Sequence, residues 1–347
     1  MTEQPPIQPT PVGALRFNTD TAKLEYFDGN QYVNITTDSP EQNTGGTRAV
    51  YQIGYDGSGY TDNTSFINIA TTGDATFFGN LTSQARGNGA FGYSSRTRGL
   101  FGCGYTVPTS QNTIDFCTIS STGAFQDFGD AAKKVEGAVG FSDSTRGIHT
   151  FGFQRTDWAY QTDLQVTTIA TTGSTVDGGF DADNDNHSAG ASCSSPVRGI
   201  FAGGNPGPSS IISYTGIQTL GDTVDFGDLT TSENEGPSMA SNSVRGIYFA
   251  GSPNGTATSN TISFITLATL GNAVDFGDNS TTARFSHSAA ASSTRAVRAG
   301  GYAAPVTYNI IDYVQIMTTG NSLDFGDLNE PMRGAGAAFT NGHGGLG

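Results

Sequence analysis

Two short motifs recur six times along the chain, and their spacing constrains the fold more than any other feature of the sequence. The first is Thr/Val-Arg followed by Gly or Ala and an apolar run, with its arginine at Arg48, Arg98, Arg146, Arg198, Arg245 and Arg295. The second is a Thr/Leu-Gly step after an apolar segment, with its glycine at Gly73, Gly123, Gly173, Gly221, Gly271 and Gly320. Successive arginines are 50, 48, 52, 47 and 50 residues apart, and successive glycines 50, 50, 48, 50 and 49. Two independent markers that stay in phase over six units establish a sixfold repeat.

Each repeat has the pattern of four short β-strands. In the fourth repeat, VRGIFAGG (197–204) has β-branched and aromatic residues followed by glycines, as expected of a strand that enters a turn. In the second, NTIDFCTI (112–119) alternates, so that Ile114, Phe116 and Thr118 share one face. A third strand ends in Asp-Phe-Gly-Asp in four repeats, and a run of small residues such as SAAAS (288–292) completes the unit. No segment has a convincing helical pattern.

Four strands in a unit of 47 to 52 residues are typical of a β-propeller blade. We interpret the run of small residues as the innermost strand, because only small side chains let six backbones converge on a central channel. The sequence therefore predicts an all-β fold, with a six-bladed β-propeller over residues 47–347. The first repeat begins at Thr47 with its second strand, and the chain ends with a surplus small-residue run at 333–339. We expect this C-terminal strand to complete the first blade and close the ring.

Composition limits the partners of such a chain. Glycine accounts for 48 of the 347 residues, roughly twice its usual share of about 7%, but without the three-residue period of collagen. Acidic residues outnumber basic ones 31 to 16, which gives a net charge of −15 and argues against nucleic acid and anionic lipid as partners. The first residues lack a basic signal-peptide region, and no apolar stretch is long enough to span a bilayer. We therefore expect that the protein is made in a cytosol and does not insert into a membrane.

No motif indicates catalysis, and we expect neither a cofactor nor enzymatic activity. The recurring Asp-Phe-Gly lacks the glycine-rich loop, lysine and His-Arg-Asp segment of a kinase, so we interpret it as a strand end with a tight turn. Asp181, Asp183 and Asp185 match the acidic positions of a calcium loop, but Asn186 replaces the required glycine. We interpret this segment as a solvated loop, with a weak cation site as the alternative. A glycosidase remains an alternative, since two carboxylates from different blades need no motif.

Cysteine and histidine also carry no metal pattern. Cys103, Cys117 and Cys193 form neither a disulfide framework nor a zinc motif, and we expect them to be small buried hydrophobic side chains. The four histidines have no pair at metal-ligand spacing. His187 and His287 precede small-residue runs, which places them at the mouth of the channel.

The loops between the second and third strands vary freely and carry aromatic residues among Asn, Asp and Ser. Binding residues concentrate in such loops on a rigid scaffold, and exposed rings suit both sugar faces and protein contacts. That these loops merely tolerate sequence drift is the alternative. The binding candidates are Tyr55, Tyr60, Tyr105, Trp158, Tyr160, Tyr302 and Tyr308.

The N-terminal segment differs from the repeats. Residues 1–12 hold four of the 13 prolines and are expected to form an extended tail. Residues 13–46 contain a three-stranded meander, with Asp28-Gly29 as a hairpin signal. A meander of this size is marginally stable alone, so it must pack on the propeller, on copies of itself or on another protein. As an attachment module, its candidate contact residues are Leu15, Phe17, Leu24, Tyr26 and Tyr32.

The repeat resembles kelch-type propellers in its small-residue strand, its second strand ending in Gly-Gly (203–204 and 300–301) and its aromatic third strand. It departs from them because the usual kelch tryptophan is absent and the only tryptophan is Trp158. It resembles more closely virion structural proteins of tailed phages that infect cyanobacteria, in which units like VRGIFAGG, NTIDFCTI and VDFGDL recur in tandem. This resemblance covers about residues 47 to 341. The segment GALRFNTDTAKLEYFDG (13–29) is similar to short modules of phage tail-fibre and other virion proteins.

These resemblances imply a structural protein of the virion, made in the host cytoplasm. The expected role is that of a tail-fibre or tail-tip protein that contacts a glycan or protein of the host surface. Its N-terminal segment would bind other virion proteins, and a homo-oligomer such as a trimer is one arrangement. The alternatives are a head or tail decoration protein that binds only virion proteins, and a glycan-degrading enzyme.

Overall fold

The computed structural model describes residues 10–18, 23–34, 46–82, 87, 89–150, 152–181, 187–334 and 337–346. The chain divides into two compact units, residues 1–43 and 44–347. The described residues form antiparallel β-sheets throughout, apart from one 3-10 turn, η1 (Gly344–Leu346). The protein is therefore all-β and β-propeller-like. Most of the predicted Pro-rich tail, residues 1–9, lies outside the described residues.

The smaller unit contains a three-stranded meander, as the sequence predicts. Its strands pair in the order β1-β2-β3. They are β1 (Leu15–Asn18), β2 (Lys23–Phe27) and β3 (Tyr32–Asn34). The Asp28 carboxylate accepts the backbone N–H groups of Asn30 and Gln31, both at 2.8 Å, and so fixes the hairpin that joins β2 to β3.

In the larger unit, six antiparallel sheets of the described residues share one order, in which a short inner strand is followed by three further strands. The predicted small-residue composition holds for inner strands such as SAAA (288–291), but two others also contain the buried rings of Phe91, Tyr93 and Phe141. The first sheet is formed by β32 (Ala338–Thr340), β4 (Arg48–Tyr55), β5 (Tyr60–Asn68) and β6 (Thr76–Asn80). The second is formed by β7 (Phe91–Ser94), β8 (Arg98–Gly102), β10 (Thr109–Thr118) and β11 (Gln126–Val135). The third is formed by β12 (Val139–Ser142), β13 (Arg146–Thr150), β16 (Asp163–Thr168) and β17 (Val176–Asp181).

The remaining sheets follow the same plan. The fourth is formed by β18 (Ala191–Ser194), β19 (Arg198–Ala202), β20 (Ser209–Gly216) and β21 (Val224–Glu233). The fifth is formed by β22 (Ser238–Ser241), β23 (Arg245–Phe249), β24 (Thr261–Thr266) and β25 (Val274–Asp278). The sixth is formed by β26 (Ser288–Ala291), β27 (Arg295–Ala299), β30 (Ile310–Gln315) and β31 (Leu323–Asp327). Short loop strands are β9 (Tyr105–Thr106), β14 (Phe153–Gln154), β15 (Ala159–Tyr160), β28 (Tyr302–Ala303) and β29 (Val306–Thr307).

The C-terminal strand belongs to the first sheet. In the register of β32 against β4, Phe339 lies opposite Val50 and Thr340 opposite Ala49. The Phe339 ring also packs 4.5 Å from the Phe101 ring of the second sheet. The pairing of the chain's last strand with its first repeat, predicted from the phase of the repeats, is confirmed.

The first marker of the repeat joins neighbouring sheets. The Nη1 of Arg98 donates to the carbonyl oxygens of Ile169 and Ala170 in the next repeat, at 3.0 and 2.8 Å. The Nη1 of Arg295, in the sixth repeat, donates in the same way to the Ile69 carbonyl oxygen of the first, at 3.0 Å. The marker arginine of each of the first five repeats donates to a backbone carbonyl oxygen of the following repeat, and Arg295 of the sixth repeat donates to one of the first. The recurring arginine is thus explained as a link between repeats.

The second marker and the Asp-Phe-Gly motif meet at the same junctions. In β21, Gly227 lies opposite Ile212 and Asp225 opposite Ser213, so Phe226 falls in a β-bulge and its side chain is 2% exposed. A Cβ at Gly227 would lie 2.6 Å from the carbonyl carbon of Gly271 in the next repeat, and its φ is +145°. The prediction of a strand end with a tight turn is wrong for β11 and β21, which continue through the motif. The motif is instead a bulge that buries its phenylalanine and brings two backbones together.

Candidate functional site

The variable loops meet at one end of the inner strands, which we call the loop face. In each repeat, a backbone bridge joins a residue before the inner strand to a residue at or just after the end of the second strand. The positions before the inner strand are Arg333, Gly87, Glu136, Ser188, Glu235 and Phe285. Their partners are Tyr55, Tyr105, Phe153, Asn205, Ser252 and Tyr302. One backbone geometry therefore presents six different pairs of residues, as expected where loops on a common scaffold carry specificity.

Aromatic residues occupy these partner positions in the sixth, first, second and third repeats. The Arg333 guanidinium carbon lies 3.6 Å from the ring centroid of Tyr302 and 6.0 Å from that of Tyr55. The Tyr60 ring lies 5.6 Å from Tyr55 and 6.3 Å from Tyr105. The structure thus brings together four of the predicted binding residues in one cation–π and aromatic series, which we call the aromatic arc.

The third repeat extends the arc into solvent. In the hairpin of β14 and β15, the Phe153 ring contacts the rings of Trp158 and Tyr160, at 5.8 and 5.2 Å between centroids. Trp158 is 75% exposed and Tyr160 is 38% exposed. Arg155, in the same hairpin, lies 4.1 Å from the Tyr105 ring centroid and so connects the hairpin to the arc.

Sequence reasoning missed Phe153, Arg155 and Arg333, because their roles depend on pairing across the loop face. A position count from each marker arginine could have aligned Phe153 with the tyrosines. Tyr308, predicted to bind, is half-buried, and its backbone N–H donates to the Gly301 carbonyl oxygen at 2.8 Å. It has no ring contact with the arc among the described residues.

A cavity of about 230 Å³ opens at the loop face. One small residue from each repeat contributes to its lining: Gly89, Gly137, Ala189, Gly236, Ser286 and Gly334. Larger side chains complete it: Glu136, Phe153, Tyr160, Ser188, Asn205 and Glu235. Residues that carry two carboxylates, an amide and two aromatic rings therefore line one space.

The two carboxylates of the cavity differ in their partners. Glu136 forms a bidentate ion pair with Arg155, with Nη2–Oε1 and Nε–Oε2 distances of 2.7 and 3.0 Å. Burial raises the pKa of the Glu136 carboxyl, and the Arg155 guanidinium opposes that rise. Burial also raises the pKa of Glu235, opposed by the charge of Arg333. Within the part of the chain that the structure describes, the Glu235 carboxyl has no side-chain hydrogen-bond partner, so it is available as an acceptor.

The opposite end of the inner strands is filled by the chain's own C-terminal segment. His343 donates from Nε2 to the Ser94 carbonyl oxygen at 2.9 Å, and its Nδ1 accepts the Gly345 N–H at 3.1 Å. The η1 turn packs against β12, β18 and β22. Arg96 donates to the Leu346 carbonyl oxygen at 3.0 Å. Burial lowers the pKa of His343 to about 4, so the ring is neutral and part of the packing.

The candidate cation loop at 181–185 is described only in part, so its role stays a prediction. Asp181 is exposed, and Asp183 and Asp185 lie outside the described residues. The described ranges contain no group of three or more His, Cys, Asp or Glu side chains that could hold a metal ion.

The predicted mouth position of the two histidines is wrong for His187, which is fully buried. Its Nδ1 donates to the Gly203 carbonyl oxygen at 2.7 Å, and Ser213 lies 3.1 Å from its Nε2, so sheet-interior partners hold the ring away from the mouth. His287 is also buried, although it contributes to the lining of a deeper cavity between the inner strands. The three cysteines are buried, as predicted, and none forms a disulfide.

A buried ionic cluster in the sixth repeat carries no signal in the sequence. Asp312 Oδ2 accepts from Arg284 and Arg298 at 2.7 and 2.6 Å, and all three side chains have no exposed surface. Burial alone would raise the pKa of Asp312, but the two guanidinium groups hold it below its ordinary value. The cluster is a structural element of the sixth sheet and lies outside the loop-face cavity.

In the smaller unit, four of the five predicted attachment residues share one face. Leu15 lies opposite Tyr26 and Phe17 opposite Leu24, and all four side chains are exposed. The fifth, Tyr32, lies on the other face, where the Arg16 guanidinium covers its ring at 3.6 Å. The alternation of side chains along a strand explains the difference.

Comparison with known proteins bears on the fold alone. No protein-family model matches the chain, and a search of curated proteins finds no match. Among solved structures, 271 chains match, so the architecture is common and does not by itself indicate a function. One of them, described as the structure of YjhT, has a TM-score of 0.57 and 12% identity over 72% of this chain and 88% of that chain. The chain is thus similar to a known fold, that of a β-propeller-like all-β protein. No helix among the described residues is long and apolar enough to cross a membrane.

Proposed function

We propose that the chain is a non-enzymatic structural protein of a tailed-phage virion that contacts the host surface through its loop face. Its larger unit would be a six-bladed, kelch-like β-propeller closed by the C-terminal strand. Support for this closure comes from the inner strands, which are neighbours in the order β7, β12, β18, β22, β26 and β32, with β32 again beside β7. The links from the sixth repeat back to the first are of the same kind as those between consecutive repeats.

The aromatic arc is the observation that carries the host-contact proposal. Its rings lie together on one face of a repeated scaffold. The arc continues to Trp158, which is the largest apolar side chain of the chain and is nevertheless 75% exposed. Exposed aromatic clusters on monomeric proteins mark surfaces that bind proteins or ligands. The resemblance of the repeats to cyanophage virion proteins supplies the biological setting.

The meander would attach the protein to another virion protein. Its exposed face of Leu15, Phe17, Leu24 and Tyr26 is the kind of apolar surface that is normally covered in an assembly. The similarity of residues 13–29 to modules of tail-fibre proteins favours a virion partner.

The test is competition for adsorption. Purified protein is expected to block adsorption of the phage that carries it, and the double variant Trp158→Ala, Tyr160→Ala should block much less. A matched control is Leu270→Ala with Leu323→Ala, two exposed residues that lie near the end of the strands away from the loop face. Because the net charge of −15 gives no steering toward an anionic envelope, moderate salt should change the blocking little.

Labelled antibody on intact particles locates the protein. Label on the tail tip together with blocking supports the proposal. Label on the head without blocking would indicate a decoration protein, and release of reducing sugar from host envelopes would indicate a glycan-degrading enzyme.

A further inference from the structure

We propose that the loop-face cavity holds one uncharged sugar ring of a host-surface glycan. This inference rests on the proposed function and adds a ligand class and a location to it. The aromatic arc alone would suit a protein or a glycan as the ligand, whereas the cavity favours a glycan.

The size of the cavity favours a single ring. Its volume of about 230 Å³ is smaller than the roughly 300–1,000 Å³ of sites that enclose drug-sized ligands. Gly89, Gly137, Gly236 and Gly334 in its lining present backbone instead of side chains, which leaves the space open. A single pyranose would fit, while the rest of a glycan would extend across the exposed hairpin.

One wall offers an aromatic surface held in place. Phe153 exchanges two backbone hydrogen bonds with Glu136, at 2.6 and 3.1 Å, and its ring contacts Tyr160 at 5.2 Å. Tyr160 is partly exposed and contributes to the lining of the cavity. An aromatic ring supported in this way can pack against the C–H face of a sugar, because one side of a pyranose is apolar.

The polar groups match hydroxyls. Glu235 is fixed by reciprocal backbone hydrogen bonds with Ser252, at 3.0 and 2.9 Å, while its carboxylate remains available. A carboxylate accepts hydrogen bonds from two neighbouring hydroxyl groups, and the Asn205 amide both donates and accepts. Hydroxyl-rich ligands satisfy such a set better than apolar ones.

The charges exclude acidic sugars. Glu136 is neutralised by Arg155. The described residues that line the cavity include no lysine, arginine or histidine, so a carboxylate or phosphate there would meet Glu235 without a cation in the lining. An uncharged ring avoids that repulsion.

The test is direct binding of small glycosides to the full chain, by ligand-observed NMR and calorimetry. The probes are the methyl glycosides of glucose, galactose, mannose and N-acetylglucosamine, with methyl glucuronide as the anionic counterpart. We expect at least one neutral glycoside to bind and the glucuronide to bind at least tenfold more weakly. Tyr160→Ala and Glu235→Gln should each weaken binding about tenfold or more, because the first removes the aromatic surface and the second replaces a charged acceptor oxygen with an amide group that donates. Leu270→Ala, a change at the end of the strands away from the loop face, should alter it less than about twofold.

Three results would overturn the inference: no neutral glycoside binds, the glucuronide binds as well, or binding survives both cavity variants. Asn205→Ala provides a third cavity variant if either of the others fails to fold. Failure here is distinct from failure of the proposed function. A protein that blocks adsorption equally well with and without Glu235→Gln keeps its host-contact role while the sugar site is refuted. A protein that binds the glycosides but never blocks adsorption refutes the host-contact role instead.

Discussion

The two ends of the inner strands are built from the same six segments and have opposite properties. At one end, Ser94, Ser142 and Ser194 surround His343 and the η1 turn, and their backbone and side-chain groups are paired with the C-terminal segment or with one another. At the other end, Gly137 and Ala189 belong to the lining of an open cavity. A ring of small residues can therefore be closed by the chain's own backbone or left open for a ligand, and the placement of the C-terminal segment decides which end is closed.

We expect the filled end to contribute mainly to the stability of the fold and the open end mainly to binding. At the filled end, buried groups contact partners that are far apart in sequence, so a substitution there disturbs several segments of the chain at once. The open end keeps a carboxylate without a side-chain partner among the described residues and exposes its largest aromatic side chain. Changes at the filled end should lower stability, and changes at the open end should alter binding with little effect on stability.

Deletion of residues 337–347 should have the largest effect. It removes β32 and the buried Phe339, whose loss alone would cost roughly 3–5 kcal/mol, together with the packing of the filled end. That sum is comparable to the total stability of many domains, about 5–15 kcal/mol. We expect a melting temperature lowered sharply or a lost cooperative transition, measured by calorimetry and circular dichroism.

A shorter deletion divides the effect. Removing only 343–347 leaves β32 paired with β4 but empties the filled end. If the strand is the main contribution, the shorter chain should retain a cooperative transition at an intermediate temperature. An unchanged melt after the longer deletion would refute the role of the C-terminal strand.

The fold was largely predictable from sequence because its signals are local and repeated. The arginine and glycine markers gave the number and phase of the repeats, and the surplus run at 333–339 predicted the pairing of β32 with β4. The bulge at the Asp-Phe-Gly motif was not predictable, because the motif has the same sequence whether or not the strand ends there. The bulge forms both in β21, which continues past the motif, and in β25, which ends with it.

Gly345→Ala should strongly destabilise the filled end. A Cβ there would overlap the Ser142 carbonyl oxygen, which belongs to an inner strand and cannot move alone. We expect a loss of about 3 kcal/mol, at the upper end of the usual range for overpacking, measured by denaturant unfolding. Gly59→Ala near the loop face is the matched control, because a Cβ there meets no atom within 4 Å. Equal losses in the two variants would contradict the comparison.

His343→Gln should change how stability depends on pH. The pKa of His343 falls from its ordinary 6.5 to about 4 in the folded chain, so below pH 6.5 the unfolded chain binds a proton that the folded chain does not. Stability is therefore lost as the pH falls, by roughly 2 kcal/mol between pH 7 and pH 5 for this one group. Glutamine can donate to the same carbonyl and does not titrate. In the variant, the difference between the unfolding free energies at pH 7 and pH 5 should be smaller by about 2 kcal/mol. The same difference in the variant and the parent would show that the ring does not titrate on unfolding.

The binding site was less predictable than the fold. Sequence reasoning identified the aromatic loops but treated Tyr308 like Tyr55, because both are tyrosines in variable loops. Only the loop-face bridges show that Tyr55 lies beside Arg333, while Tyr308 lies outside the arc. The cavity depends on residues from all six repeats, and no local pattern could have brought Glu136 and Glu235 together.

Glu235→Gln should have the smallest effect on stability, and the opposite pH dependence from the change at His343. Burial raises the pKa of Glu235 above its ordinary 4.5, so the folded chain holds this proton more firmly than the unfolded chain. The contribution of the group is fully present below pH 4.5 and is lost as the pH rises through the folded pKa. The glutamine variant should therefore be slightly more stable than the parent at pH 7, and this advantage should disappear as the pH approaches 4.5. Thermal melts across that range measure it, with Glu330→Gln as a control at a glutamate outside the cavity lining. If Glu235→Gln instead destabilised the chain at pH 7 as much as Gly345→Ala does, the loop face would be part of the stabilising core, and the distinction between the two ends would fail.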